Sequence, residues 1–227
     1  MKKKKEKTVV LLSGGLDSSV TLSIAQKSGY ESHCISFDYE QRHSNEINLA
    51  KFQSKDQKAK THKIIKMDFY GGSALTDNIP IPKNENYEKI PDNIPKTYVP
   101  GRNLIFLSYA IGYAEYMESN SIFIGVNAID YSGYPDCRPD FIKSFQETSN
   151  LATKKGVEGG KIKIHTPLID FSKRDIILEG KKNSVNLKKT LSCYNPVGFK
   201  ACGRCDACLI RIKGFNEANL KDPISYV

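Results

Sequence analysis

Apolar positions recur along the chain in a repeating strand and helix order. Thr8 to Leu12 is a short aliphatic and β-branched run, the make-up of a buried parallel strand, and after two glycines a helix is predicted from Ser18 to Lys27. Glu31 to Asp38, carrying Cys34, Ile35 and Phe37, predicts a second strand. Ser44 suits the N-cap of a polar helix running to about Lys60, with Ile47, Leu49, Ala50 and Phe52 as its buried face, and Lys63 to Asp68 predicts a third strand. That β-α-β-α-β order is half of a doubly wound sheet. Residues 69–99 break it: Gly71, Gly72, Pro80, Pro82, Pro91 and Pro95 interrupt any period, which predicts one long loop, a lid over a ligand or a disordered insertion.

The pattern then resumes. A helix opens at Arg102 and Asn103 and runs to about Met117 on Leu104, Leu107, Tyr109, Ile111 and Ala114. Ser121 to Val126 is a fourth strand, Pro139 starts a helix that continues to Lys154, and Lys161 to His165 is a fifth strand. Ser172 with Asp175 reads as a near capping box for a helix ending close to Gly180. The fold class is therefore α/β: a doubly wound, mainly parallel five-stranded sheet with a small C-terminal cysteine-bearing module. The expected divisions are a basic tail over 1–7, the α/β domain over 8–185 and the module over 186–227.

Chemistry collects where the strands end. After the first strand comes Leu12-Ser13-Gly14-Gly15-Leu16-Asp17-Ser18-Ser19. The glycines let backbone N–H groups approach a polyanion, and the helix N-terminus behind them favours negative charge. The hydroxyls of Ser13, Ser18 and Ser19 can add donors, and Asp17 can orient them or help to hold magnesium. A guanidinium in the first turn of a helix is disfavoured by the helix dipole, so Arg102 points to an anionic partner. The stretch Asn127 to Arg138 follows another strand and is dense in polar and aromatic groups, including Asp130, Tyr134, Asp136, Cys137 and Arg138. A thiol nucleophile at Cys137 is conceivable there. His43 can act as a base, bind phosphate or serve a structural role.

Cys193, Cys202, Cys205 and Cys208 form C-x8-C-x2-C-x2-C. Four thiolates this close in sequence can meet one tetrahedral cation with no open position, the pattern of structural zinc; an iron–sulfur cluster is the rival reading. Clustered cysteines, no apolar stretch long enough to span a membrane and no apolar leader segment lead us to expect a cytoplasmic protein. The formal charge is +9, of which the first seven residues supply +4. The remaining +5 suits a nucleotide substrate as well as RNA and chooses neither.

The first motif resembles the pyrophosphate loop of the PP-loop ATP pyrophosphatases, which share the adenine nucleotide alpha hydrolase-like fold. Further segments resemble the QueC family, the 7-cyano-7-deazaguanine synthases: Phe37-Asp38-Tyr39-Glu40-Gln41-Arg42-His43, Tyr98-Val99-Pro100-Gly101-Arg102-Asn103, Gly125 to Arg138, Ser192-Cys193-Tyr194-Asn195, and Cys202-Gly203-Arg204-Cys205-Asp206-Ala207-Cys208. Glu40 and the lysine tail depart from the family pattern. The resemblance implies ATP-dependent conversion of 7-carboxy-7-deazaguanine and ammonia to the nitrile through adenylated carboxylate and amide. It implies ATP, magnesium and structural zinc, small-molecule partners, a homodimer, and neither membrane nor nucleic acid. The residues expected to act are Leu12 to Ser19 on pyrophosphate, Asp17, Arg102 and Arg138 in catalysis, Asn103, Asp130 and Asp136 on the deazaguanine edge, and the four cysteines on metal. Two other functions remain open on the sequence: a PP-loop enzyme adenylating a base of tRNA, and a non-enzymatic zinc module that binds nucleic acid through its lysines.

Overall fold

The structure, a computed structural model, describes residues 5–39, 45–68, 70–91, 93–129 and 133–227. Most of the lysine tail, the Glu40 to Ser44 stretch with His43 and the expected N-cap, and Asp130 lie outside them.

The elements in order are β1 (Lys7–Leu11), α1 (Leu16–Lys27), β2 (Glu31–Asp38), α2 (Asn45–Asp56), β3 (Thr61–Lys66), α3 (Arg102–Tyr116), β4 (Ser121–Phe123), α4 (Pro139–Ala152), α5 (Lys154–Val157), β5 (Lys163–His165), α6 (Lys173–Lys182) and α7 (Asp206–Glu217). The five strands are all parallel in the order β3-β2-β1-β4-β5, with Val10 opposite Cys34 on one side and Phe123 on the other. Alternation along β1 divides the core. Val9 and Leu11 pack with Leu107, Ala110 and Ile111 of α3 and Ile142 of α4, whereas Val10 and Leu12 pack with Leu22 and Ala25 of α1 and Ala50 of α2. Helices therefore cover both faces, and the chain reverses its direction of travel across the sheet at β1. A crevice opens at the carboxyl ends of β1 and β4, the switch point where open α/β sheets bind ligands.

Several boundaries differ from expectation for local reasons. α1 starts two residues earlier, because Gly15 with extended backbone is its N-cap. α4 stops at Ala152 because Thr153 leaves the helical region and its side chain accepts from the Gly156 N–H, capping the short α5. The Ser172–Asp175 pair is a reciprocal capping box. α7 was not expected at all. Its buried residues include Asp206, Arg211 and Gly214 as well as Leu209, Ile210 and Phe215, so no clean apolar stripe marks it in the sequence.

The long loop is not structureless, and its Leu75 lines the crevice. Ala74, Leu75, Ile81 and Val99 pack against Leu191, Cys193, Ala201 and Cys205, and the side chain of Asn84 donates to Asp206 at 2.7 Å. A 3-10 turn at Tyr87–Lys89 sets the Tyr87 ring 3.6 Å from the Lys213 ammonium. The C-terminal segment also shares a core with the sheet domain: Phe215 lies with Leu16, Val20, Ile176 and Ile177. Its tail is fastened by Arg211, 1% exposed, whose guanidinium donates to both carboxylate oxygens of Asp222 at 2.7 and 3.0 Å and to the Thr190 hydroxyl at 2.9 Å. Among the described residues, no helix is long and apolar enough to cross a membrane.

Candidate active site

The crevice is a cavity of about 250 Å³. One wall is the loop after β1, to which Leu12, Ser13, Gly15, Leu16, Asp17 and Ser18 all contribute. Gly14 supports it from behind. With φ +82°, it is in the left-handed region, and a Cβ there would stand 2.6 Å from both the Ala50 nitrogen and the Glu46 carbonyl oxygen, so glycine alone lets the loop rest on α2. The serines build the loop. Ser19 Oγ donates to the Gly15 carbonyl at 2.7 Å, the Ser13 N–H donates to Ser18 Oγ at 3.1 Å, and the Gly15 N–H donates to Ser13 Oγ at 3.3 Å. Ser19 is fully buried and does not line the cavity, whereas Ser13 and Ser18 do.

Asp17 has a partner that the sequence reading left unassigned. Lys173 Nζ donates to its two oxygens at 2.8 and 2.9 Å, and the lysine is 5% exposed. Lys173 reaches this point because Gly214 of α7 leaves room for its stem: a Cβ at Gly214 would lie 2.5 Å from Lys173 Cγ. Asn127 brings the α6 approach to the β4 end, donating to the Leu168 carbonyl at 2.9 Å and to the Phe171 carbonyl.

The far end of the cavity is aromatic and cationic. Arg102 opens α3 and lines the cavity with Tyr39, Phe106, Tyr134 and Tyr194. Its guanidinium donates to the Tyr39 hydroxyl at 3.2 Å and, among the described residues, meets no carboxylate in a salt bridge. Burial works against its charge, yet Tyr39 and Tyr134 hold it protonated above the ordinary arginine range. A cation so enclosed and unpaired is a receptor for an anion. Glu46, in the first turn of α2, lines the same space, and burial pushes its carboxyl up to about 7, with Arg102 opposing. Nothing marked it in the sequence, where a glutamate at a helix start reads as a solvated dipole partner.

The remaining expected residues divide. Asn103 lines the cavity, and its amide donates to Cys137 Sγ at 3.2 Å. Asp136 lies behind it: Oδ2 accepts from the Asn103 N–H at 2.9 Å, while Oδ1 is buried without a partner. Arg138 is exposed, serves as the N-cap residue of α4 and does not line the cavity. Burial pushes the Cys137 thiol up to about 12, so it stays protonated and is a poor nucleophile.

A further wall is the segment Leu191-Ser192-Cys193-Tyr194. The sulfurs of Cys193, Cys202, Cys205 and Cys208 lie within 4.8 Å of one another, with Cys202 and Cys208 3.9 Å apart, and all six cysteines of the chain are free thiols. Four sulfurs in a tetrahedron around one zinc-sized ion stand roughly 3.8 Å apart, so the cluster fits a thiophilic cation. Backbone N–H groups of Tyr194, Asn195, Cys202 and Cys205 point at the sulfurs at 3.2–3.4 Å, which favours thiolates.

The family model for "Queuosine biosynthesis protein QueC" matches residues 7–219. A 7-cyano-7-deazaguanine synthase of Acetivibrio thermocellus is 55% identical over 97% of this chain and 98% of the relative, and that of Rickettsia akari is 50% identical over 98% of this chain and all of the relative. Among solved structures, a 4-thiouridine synthetase in complex with RNA and ATP overlays with a TM-score of 0.51 at 15% identity, covering 93% of this chain and 53% of that one, which is a likeness of fold. With a family model over nearly its whole length and relatives at half identity or more, this chain belongs to the QueC family of queuosine biosynthesis proteins.

Proposed function

We propose that the chain is an ATP-dependent ligase that converts 7-carboxy-7-deazaguanine and ammonia to 7-cyano-7-deazaguanine, the activity named for its relatives. The observation that carries this reading is a single cavity with a glycine-rich anion loop at one end and, at the other, a tyrosine-lined guanidinium that meets no carboxylate in a salt bridge among the described residues. Such a cavity suits a triphosphate facing a flat aromatic acid.

The chemistry follows from the walls. A carboxylate is a poor acyl donor, but its oxygen can displace pyrophosphate at the α-phosphate of ATP. Backbone N–H groups of Leu16 to Ser18, in the first turn of α1, take the β,γ-phosphates, and Lys173 holds Asp17 in place beside them. Ammonia then attacks the acyl carbon, AMP leaves, and the amide forms. Adenylation of the amide oxygen by a second ATP lets AMP depart as the nitrile is made. Arg102 fixes the acid or its phosphoryl partner, so that reaction is between held groups. Asn103 reads the deazaguanine edge, kept in place by Asp136; Asp130 belongs to that role by residue type.

Among the described lining residues, Asp17 and Glu46 carry carboxyl groups and would hold magnesium, which would neutralise charge on the phosphates. The four cysteines would hold zinc, a structural ion with no open position. Assembly as a homodimer and a cytoplasmic location belong to the same reading.

Steady-state kinetics of two variants test it. Arg102→Ala raises KM for the acid by roughly 10–150-fold, the worth of a charged hydrogen bond, while Arg138→Ala stays near wild type. Wild-type kinetics for Arg102→Ala would remove it from the site.

A further inference from the structure

The cysteine cluster does more than close off the tail, because its first ligand stands in the cavity wall. The segment that carries Cys193 is attached on both sides. Toward the anion loop, the Leu191 N–H donates to the Gly14 carbonyl at 3.4 Å, and the missing side chain of Gly15 would point at the Leu191 carbonyl oxygen 3.7 Å away. Toward the cluster, the Tyr194 N–H donates to Cys205 Sγ at 3.4 Å. The Tyr194 side chain then runs back into the cavity. Its hydroxyl is 3.3 Å from that of Tyr134, which in turn is 2.8 Å from the Thr97 hydroxyl. Three segments meet in this chain of hydroxyls: the end of the long loop, the stretch after β4 and the cysteine segment. Arg102 lies among them, its charge held up by Tyr134 and Tyr194 as well as by Tyr39.

We propose that Tyr194 is a positioning residue that couples metal held by the four cysteines to the Arg102 end of the reaction cavity. Loading the cluster fixes Cys193, and Tyr194 carries that order through Tyr134 to the wall that meets the acid. Besides the apolar packing of Leu191 and Cys193, the backbone of 191–194 has few anchors among the described residues, so without the ion its hydrogen bonding rests on weak N–H···S and carbonyl bonds. The inference rests on the proposed function for the identity of its ligands. Coupling between two sites is reciprocal: if the metal orders the cavity, ligands in the cavity must retain the metal.

The test reads metal rather than turnover. Zinc-loaded wild-type protein and Tyr194→Phe are mixed with a chromogenic chelator, with and without saturating ATP plus 7-carboxy-7-deazaguanine, and zinc release is timed. Equilibrium dialysis checks ATP binding separately. The chain has no tryptophan, so tyrosine fluorescence follows the wall in the same samples. The expected result is release slowed at least about fivefold by the ligands in wild type and hardly at all in Tyr194→Phe, with equal zinc content in both proteins at the start. Equal slowing in the two proteins overturns the role of Tyr194. Bound ATP with no slowing in wild type overturns the coupling while leaving the functional reading intact. Failure of ATP to bind overturns that reading, and this inference with it.

Discussion

The anion loop and the cysteine segment both line the cavity and are built in opposite ways. The loop is made by near neighbours: three serines bond within six residues of one another, and Gly14 seats the turn on α2. The cysteine wall is made from afar, with Cys193 meeting Cys208, Tyr194 meeting Tyr134, and Leu191 bonded to Gly14. A local device is complete once its strand and helix form. A distant one depends on everything it touches, including an ion. One cavity thus joins a rigid receptor for phosphate to a wall whose order can be changed by what it binds.

The largest effect that sharpens this contrast belongs to the loop. Gly14→Ala combines a left-handed backbone with a Cβ 2.6 Å from main-chain atoms of α2, and its urea midpoint should fall by the equivalent of about 2–5 kcal/mol, with ATP binding lost. A variant as stable as wild type would mean that the loop is not seated as described.

The next effect lies where α6 meets the start of α1. Lys173→Met strands Asp17, whose side chain is 19% exposed, without its ion partner, and stability should drop by about 3 kcal/mol. Asp17→Asn combined with Lys173→Met should regain most of that stability without regaining turnover. Recovery of turnover in the double variant would remove the pair from the chemistry.

The smallest effect is a pH dependence. Burial raises the Glu46 carboxyl from its ordinary 4.5 to about 7 in the folded chain, so the stability it contributes is fully present below the unfolded value and lost as pH rises through the folded one. Glu46→Gln removes the charge. Its Tm should match wild type near pH 4.5 and exceed it by several degrees at pH 8. A Tm difference that does not change with pH would show Glu46 to be solvated.

How legible this was follows the same division. β2 was read with its observed ends, because Cys34, Ile35 and Phe37 sit in a run bounded by polar residues. The loop after β1 was read as an anion site because all its parts are adjacent. The cysteine spacing gave the cluster. Lys173, by contrast, is 156 residues from Asp17 and appeared only as the residue after an N-cap. Tyr134 and Tyr194 were ordinary tyrosines in polar stretches, since a hydroxyl contact between distant segments leaves no period in either. Arg102 and Arg138 looked alike as arginines beside helix starts. Only the packing sets one inside the cavity and leaves the other outside its walls.

The central claim is that the cavity activates a carboxylate by adenylation. It is tested most directly by supplying the acid with a heavy-oxygen label in its carboxyl group, together with ATP, ammonia and metal-loaded protein, and weighing the phosphorus products by mass spectrometry. The account predicts label in AMP and none in pyrophosphate, accompanied by the nitrile. Label in inorganic phosphate, or AMP formed without it, would contradict the account.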